Sequence, residues 1–177
     1  IFVHPEYPMV VWASRELKRT VKWIPDRQEA FQSDVQGRDH VSIAEMAVDK
    51  DGRFIGERIT TYAALGASLN HFSVFIPTLA GSSMLNGLYA TPAIYVNVKG
   101  VMTNTVPTDA YRGAGRPEAT YLVERLIDKA AAELKVDAIE LRRKNFIPAS
   151  KMPYTNTSGV VYDSGDFSKD RKSTRLN

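Results

Sequence analysis

One stretch constrains this chain more than any other. Across 117–135, Ala119, Leu122, Val123, Leu126, Ile127, Ala130, Ala131 and Leu134 recur at i, i+3, i+4 spacing, while Glu124, Arg125, Asp128, Lys129 and Glu133 fall between them. That period lays an apolar stripe along one side of an α-helix, and such a stripe has to be covered by a second layer. Pro117 and Glu118 suit its first turn, because proline has no N–H to leave unpaired and a carboxylate is favoured at the positive helix end. Strand signals lie upstream. Two strand-like runs, 41–48 and 54–62, flank Asp49-Lys50-Asp51-Gly52-Arg53. Asp-Gly between such runs predicts a hairpin with positive φ at both turn positions. The second run continues through the small residues 63–68, where Gly66 predicts a bulge or a close backbone approach. A further strand is expected over 94–98, running on to Val106 with an irregularity at Gly100. Strands followed by a helix pair, with few βαβ alternations, predict an α+β fold of mixed sheets with packed helices.

The remaining elements are shorter. Pro5-Glu6 opens a helix that ends near Lys18-Arg19, and Val21-Lys22-Trp23-Ile24 reads as a short strand stopped by Pro25. Asp26 and Glu29 form a capping-box pattern for a second short helix, and Asp137 with Glu140 repeats it for a helix ending in Arg142-Arg143-Lys144. That basic triplet reads as a solvated helix end. A short helix is expected around 79–85, and 148–166 reads as a long loop. Trp12 and Trp23 are assigned to a core or an interface.

Composition excludes several classes. The chain has 177 residues and no cysteine, which removes a disulfide framework, a thiol nucleophile, cysteine-ligated zinc and a self-contained iron–sulfur cluster. No apolar run approaches the ~20 residues needed to span a bilayer, and no signal peptide is read at the start. The net charge of +3 is mostly a tail effect: residues 170–177 hold three of the 23 Lys and Arg and one of the 20 Asp and Glu, so the rest nets +1. No basic stripe for nucleic acid remains. His4, His40 and His71 have no partners at metal-ligand spacing, so no metal-ligating residue is assigned. Arg38-Asp39-His40 reads as a turn or ion-pair cluster.

The segment with chemical potential is 111–116, Tyr111-Arg112-Gly113-Ala114-Gly115-Arg116. A strand end, two glycines and a helix start bring backbone N–H groups and a partial positive charge to one point, and Arg112 and Arg116 add cationic donors that hold an oxyanion. A plain strand-to-helix turn accounts for the same residues. Gly113-Ala114-Gly115 does not complete G-x-G-x-x-G, since Glu118 takes the last place.

With its surroundings, Ala110-Tyr111-Arg112-Gly113-Ala114-Gly115-Arg116-Pro117-Glu118-Ala119 resembles the large, molybdenum-binding subunit of the xanthine dehydrogenase/aldehyde oxidase family, nearest its carbon monoxide dehydrogenase-like branch. Val21-Lys22-Trp23-Ile24-Pro25-Asp26-Arg27, Gly37-Arg38-Asp39-His40, Thr103-Asn104, Glu140-Leu141-Arg142-Arg143-Lys144-Asn145-Phe146-Ile147 and Tyr162-Asp163-Ser164-Gly165 look like it too, in order. The resemblance covers residues 1–169. It implies partial molybdopterin-binding domains: 1–109 as the C-terminal part of a first, 110–169 as the start of a second, and 170–177 as a non-native tail similar to a translated sequencing adapter. The first residue is Ile, not Met, and a piece of a larger subunit is expected, inactive alone. The activity implied is that of a hydroxylase or dehydrogenase of aldehydes or related electron-poor carbons, with oxygen taken from water. The alternative is a non-catalytic binding or scaffold module that keeps the fold.

The same resemblance implies a cofactor, molybdopterin with molybdenum in its cytosine dinucleotide form. FAD and 2Fe-2S clusters would sit on flavin-binding and iron–sulfur partner subunits, in a cytoplasmic dimer of heterotrimers acting on a small organic substrate. Arg112, Gly113 and Ala114 would line the metal's ligand sphere, with Tyr111, Gly115 and Arg116 completing the cofactor contact. Two departures stand out. True carbon monoxide dehydrogenases carry a copper-bridging cysteine where this chain has Gly113, and the purine-binding arginine of xanthine dehydrogenases has no counterpart in 76–88, so carbon monoxide and purines are disfavoured as substrates.

Overall fold

A computed structural model describes residues 4–169; the expected tail at 170–177 and the first three residues lie outside the described residues. Helix α1 (Glu6–Leu17) and helix α2 (Arg27–Ser33) precede strands β1 (His40–Val48) and β2 (Phe54–Gly66). After a π-helical turn (Ile76–Gly81) and a 3-10 turn (Ser82–Met84) come strand β3 (Ile94–Met102) and helices α3 (Arg116–Leu134) and α4 (Ala138–Asn145). A small hairpin of β4 (Tyr154–Thr155) and β5 (Val161–Tyr162) closes the described chain. The sheet order is β1-β2-β3, with β1 antiparallel and β3 parallel to β2, so the mixed α+β architecture is as expected.

Strand β1 alternates strictly. His40, Ser42, Ala44, Met46 and Val48 turn inward, while Val41, Ile43, Glu45 and Ala47 face out. The inward face is covered by α3, whose Ala119, Val123, Ile127 and Ala131 are buried. Together with Phe54, Ile59, Leu85, Tyr89 and Leu141 they form the core. The helical stripe read from sequence is therefore the side that packs, with Leu122, Leu126 and Ala130 half-buried at its flanks, except for its last member, Leu134, which is exposed at the helix end.

Local details depart from expectation for identifiable reasons. The β1–β2 turn has positive φ only at Gly52 (78°), not at Asp51. The Gly52 N–H donates to the Asp49 carbonyl, and the pairing slips beside Val48, which makes this a type I turn closed by a glycine bulge rather than a two-residue turn. The 21–24 segment is not a strand, since no strand among the described residues pairs with it; Trp23 (49% exposed) and Trp12 (66%) are not core residues among the described residues. Strand β3 stops at Met102, short of Val106, and the irregularity sits across from it at Leu65: Gly100 pairs regularly with Ala63, while Gly66 is shifted. At Gly66 a Cβ would lie 2.4 Å from Pro107 Cα, so the expected close approach is real. The helix placed at 79–85 begins earlier, at Ile76, and is π then 3-10. The 148–166 segment holds the β4–β5 hairpin.

The capping box expected at Asp26 forms in full, whereas at Asp137 only the aspartate cap forms, because the Glu140 carboxylate pairs with Arg143 instead. Asp26 forms a reciprocal box with Glu29, and Asp137 accepts the N–H groups of Ile139 and Glu140. Arg142 is not a solvated helix end. Its side chain is largely buried and donates to Glu124 (2.8 Å) and Asp128 (2.8 Å), tying α4 to α3.

Candidate functional site at the 111–116 bend

Three segments pin the backbone that enters the bend. The Gln36 N–H donates to Pro107 O (3.0 Å), and the Asp109 N–H donates back to Gln36 O (2.8 Å). Thr108 Oγ1 donates to Ala64 O (2.9 Å), and Ser73 Oγ donates to Thr108 O (2.7 Å). Asp109 is buried; its Oδ1 accepts the Ala110 N–H at 2.6 Å and its Oδ2 has no partner.

Beyond Tyr111 the chain turns through three successive positive φ values, 92° at Gly113, 26° at Ala114 and 87° at Gly115. Only glycine serves at 115, where a Cβ would sit 2.6 Å from Gly81 N and 2.8 Å from Ile76 O. The expected glycine-loop-to-helix arrangement is thus built by pressing Gly115 onto the π-helical turn, after which Pro117 starts α3. Within the bend, the Ala114 N–H donates to Tyr111 O (2.7 Å) and the Arg116 N–H to Gly113 O (3.1 Å). The N–H groups of Tyr111, Arg112, Gly113 and Gly115 meet no acceptor among the described residues, nor does the Arg112 guanidinium. Tyr111, Arg112 and Gly113 are exposed, so the bend faces outward. Arg116, also exposed, turns a donor back to Ala114 O (3.2 Å).

Spacing alone does not reveal the residue behind the bend. Arg38 Nη2 donates to Arg112 O at 2.7 Å, its guanidinium lies 4.5 Å from the Tyr111 ring centroid, and its Nε sits 3.5 Å from Glu118 Oε1. The sequence signals were the polar Arg38-Asp39-His40 cluster, whose ion-pair role is observed, and the place of Gly37-Arg38-Asp39-His40 in the family resemblance. Next to it His40, Ser42, Pro117 and Tyr121 line an open groove of about 480 Å³ with Arg38 and Glu118. Burial pushes the His40 imidazole down from its ordinary value, opposed by the carboxylates of Glu118 and Asp39. No group of three or more His, Cys, Asp or Glu able to hold a metal ion occurs among the described residues.

Unpaired amides at the exposed Tyr111, Arg112 and Gly113, with the Arg112 guanidinium, are a donor set for an oxygen-rich anion, and they fit a pterin-phosphate cofactor whose metal carries oxygen ligands. Comparison with known proteins identifies the fold as that of a cofactor-binding domain. Residues 1–146 match the molybdopterin cofactor-binding domain family, and the chain belongs to it. It is 38% identical over 170 residues to the carbon monoxide dehydrogenase large chain of Hydrogenophaga pseudoflava, covering 93% of this chain and 21% of that protein. It is 33% identical to subunit gamma of the 6-hydroxypseudooxynicotine dehydrogenase complex of Paenarthrobacter nicotinovorans, covering 94% and 22%. The crystal structure of quinoline 2-oxidoreductase from Pseudomonas putida 86 superposes with a TM-score of 0.88 at 30% identity, over 98% of this chain and 23% of that one. The chain thus spans about a fifth of the length of the relatives it matches. No helix among the described residues is long and apolar enough to cross a membrane.

Proposed function

We propose that this chain is part of the large subunit of a molybdopterin-dependent oxidoreductase that hydroxylates or dehydrogenates aldehydes or related electron-poor carbons. The carrying observation is the outward bend at 111–115 with its unpaired N–H groups, in a chain of the molybdopterin-binding family. When bound, the molybdenum cofactor supplies the two-electron oxidation, with oxygen from water. Arg112, Gly113 and Ala114 would lie nearest the metal, and Tyr111, Gly115 and Arg116 would hold the rest of the cofactor contact. The residues of the bend donate hydrogen bonds, hold the cofactor's orientation and stabilise negative charge on oxygen, which a prearranged donor set does without reorganising. For the intact subunit we propose a division between two cofactor-binding domains near 107–110, after the end of β3.

The cytosine dinucleotide form, flavin and 2Fe-2S partner subunits, a dimer of heterotrimers and a cytoplasmic setting belong to the same proposal. Relatives that are themselves subunits of larger complexes support the expectation of partner subunits. Carbon monoxide is not the proposed substrate. Gly113 stands where the copper-bridging cysteine would be, and a Cβ there would lie 2.8 Å from Pro117 Cγ, so a side chain requires the bend to shift.

The test is Arg112→Ala in the full-length complex. Turnover should fall about a hundredfold, as for loss of one prearranged oxyanion donor, while the melting temperature stays within about 2 °C, since Arg112 is exposed and unpaired. Near-stoichiometric molybdenum in the wild type supports the reading. Its absence after expression in a cofactor-competent host assigns the fold to a scaffold role.

A further inference from the structure

We infer that Arg38 is the positioning residue of this site: its guanidinium clamps the 111–115 bend from behind, and Glu118 anchors that guanidinium. The inference rests on the reading of 111–115 as the cofactor contact.

The argument begins with where Arg38 spends its donors. One guanidinium makes three contacts on two sides of the bend: a 2.7 Å hydrogen bond to Arg112 O, a cation–π stack on Tyr111 and an ion pair with Glu118. The first two hold the two residues that enter the bend, and the third ties them to the first turn of α3, where the bend ends. Gly37 contributes by letting its backbone approach so closely that a Cβ there would meet Tyr111 Cβ at 2.8 Å. Arg38 itself holds a left-handed φ of 61°, unusual for a residue with a side chain. The bend needs such a support, because its internal hydrogen bonds are two and four of its N–H groups are left unpaired.

Accepting the Arg38 hydrogen bond draws electron density from the 112–113 peptide. The carbonyl that Arg38 engages belongs to the same peptide plane as the unpaired Gly113 N–H, so fixing the carbonyl fixes the direction of that donor. Polarisation of a peptide through its carbonyl also strengthens its N–H as a donor. Glu118 is committed to this task. Its Oε1 faces Arg38, and its Oε2 is buried with no partner, so no other cation in the described structure competes for it. A lysine at position 38 could neutralise Glu118, but it has no planar face for Tyr111 and no fork to reach two acceptors at fixed angles.

The experiment uses the full-length complex with Arg38→Ala, Arg38→Lys and the double variant Arg38→Ala/Glu118→Gln. The double variant is included because Arg38→Ala alone leaves a buried carboxylate unpaired and threatens folding. In cofactor-free protein, hydrogen exchange at the hydrogen-bonded amides of the bend, those of Ala114 and Arg116, should accelerate about tenfold in the double variant, while the amides of 123–131 in α3 keep wild-type protection. In loaded enzyme, kcat should fall at least about tenfold with KM changed less than about threefold, and the paramagnetic spectrum of the reduced metal should shift. Arg38→Lys should recover less than half of the lost kcat. Unchanged exchange at Ala114 and Arg116, or an unchanged metal spectrum with wild-type kcat, overturns the clamp. So does full recovery by Arg38→Lys, which would reduce Arg38 to a neutralising charge. Exchange tests the clamp without the cofactor. Molybdenum missing from the wild type removes the functional reading and, with it, the positioning role.

Discussion

Helices α1 and α3 begin and end alike, and only one of them is part of the body of the protein. Each opens on Pro-Glu, Pro5-Glu6 in one and Pro117-Glu118 in the other. Each closes on a lysine in the left-handed region, Lys18 at φ 51° and Lys135 at φ 56°. The next N–H reaches back five residues in both, Arg19 to Ser14 O and Val136 to Ala131 O, the hydrogen bond of a Schellman end. Yet α3 buries Ala119, Val123, Ile127 and Ala131, whereas α1 buries no residue and exposes Met9, Val11, Trp12 and Leu17. Caps and propensity set where a helix starts and stops. Whether it contributes to a core depends on a complementary surface arriving from elsewhere in the chain, because most helical stability in a folded protein comes from burying one face.

The comparison breaks most visibly at the two apolar stripes. Ile127→Ala should cost about 2–5 kcal/mol in urea unfolding, the range for emptying a fully buried aliphatic site. Trp12→Ala, though it removes a larger side chain, should change stability by no more than about 0.5 kcal/mol in the same assay. A large loss at Trp12 would mean that α1 packs on the body.

Next in size is a pH effect confined to the body. Glu57 is 4% exposed; Thr91 Oγ1 donates to its Oε1 at 3.2 Å and its Oε2 has no partner. Burial pushes its pKa from the ordinary 4.5 up to about 7, with the Thr91 hydrogen bond opposing. The folded form therefore holds a proton that the unfolded chain releases. Stability is full below pH 4.5 and falls as pH rises toward 7, by an amount on the order of 3 kcal/mol at the conversion of 1.36 kcal/mol per pKa unit. Unfolding free energies measured from pH 4.5 to 7.5 should show that decline, and Glu57→Gln should flatten it. A Glu57→Gln curve that still falls equally would place the titration elsewhere. Exchange protection of α1, which has no buried residue, should not follow this profile.

The smallest effect applies one substitution to both helix ends. Lys135→Gly relieves left-handed strain and should stabilise the body by about 0.5–1 kcal/mol, after the extra freedom glycine has in the unfolded chain is allowed for. Lys18→Gly relieves the same strain but should leave the global melting temperature where it is, because α1 is not held by the core. Equal shifts for both would show that the two helices unfold together.

Much of this fold was readable from local chemistry. The 3.6-residue stripe of α3, the aspartate caps at Asp26 and Asp137 and the β1–β2 hairpin depend on residues within one or two turns of each other, and each appears where the pattern put it. The misreadings share a different cause. Val21-Lys22-Trp23-Ile24 has strand-forming residues but no strand beside it. Arg142 looked solvated because Glu124 and Asp128, 18 and 14 positions earlier, are invisible to a scan of its own helix. The site divides the same way. The glycines and arginines of 111–116 announced a bend able to bind an anion, while Arg38, which holds it, lies 74 positions from Arg112.

By itself, then, the order of residues determined where the main helices, their caps and the β1–β2 hairpin lie, because these follow from steric and hydrogen-bond rules acting over a few neighbours, and its motifs marked one bend and a family resemblance. Tertiary structure alone decided which amphipathic helix is buried, which carboxylate keeps its proton and which arginine stands behind the bend. Those outcomes depend on desolvation and on contacts closed between distant segments, and neither exists until the chain has folded.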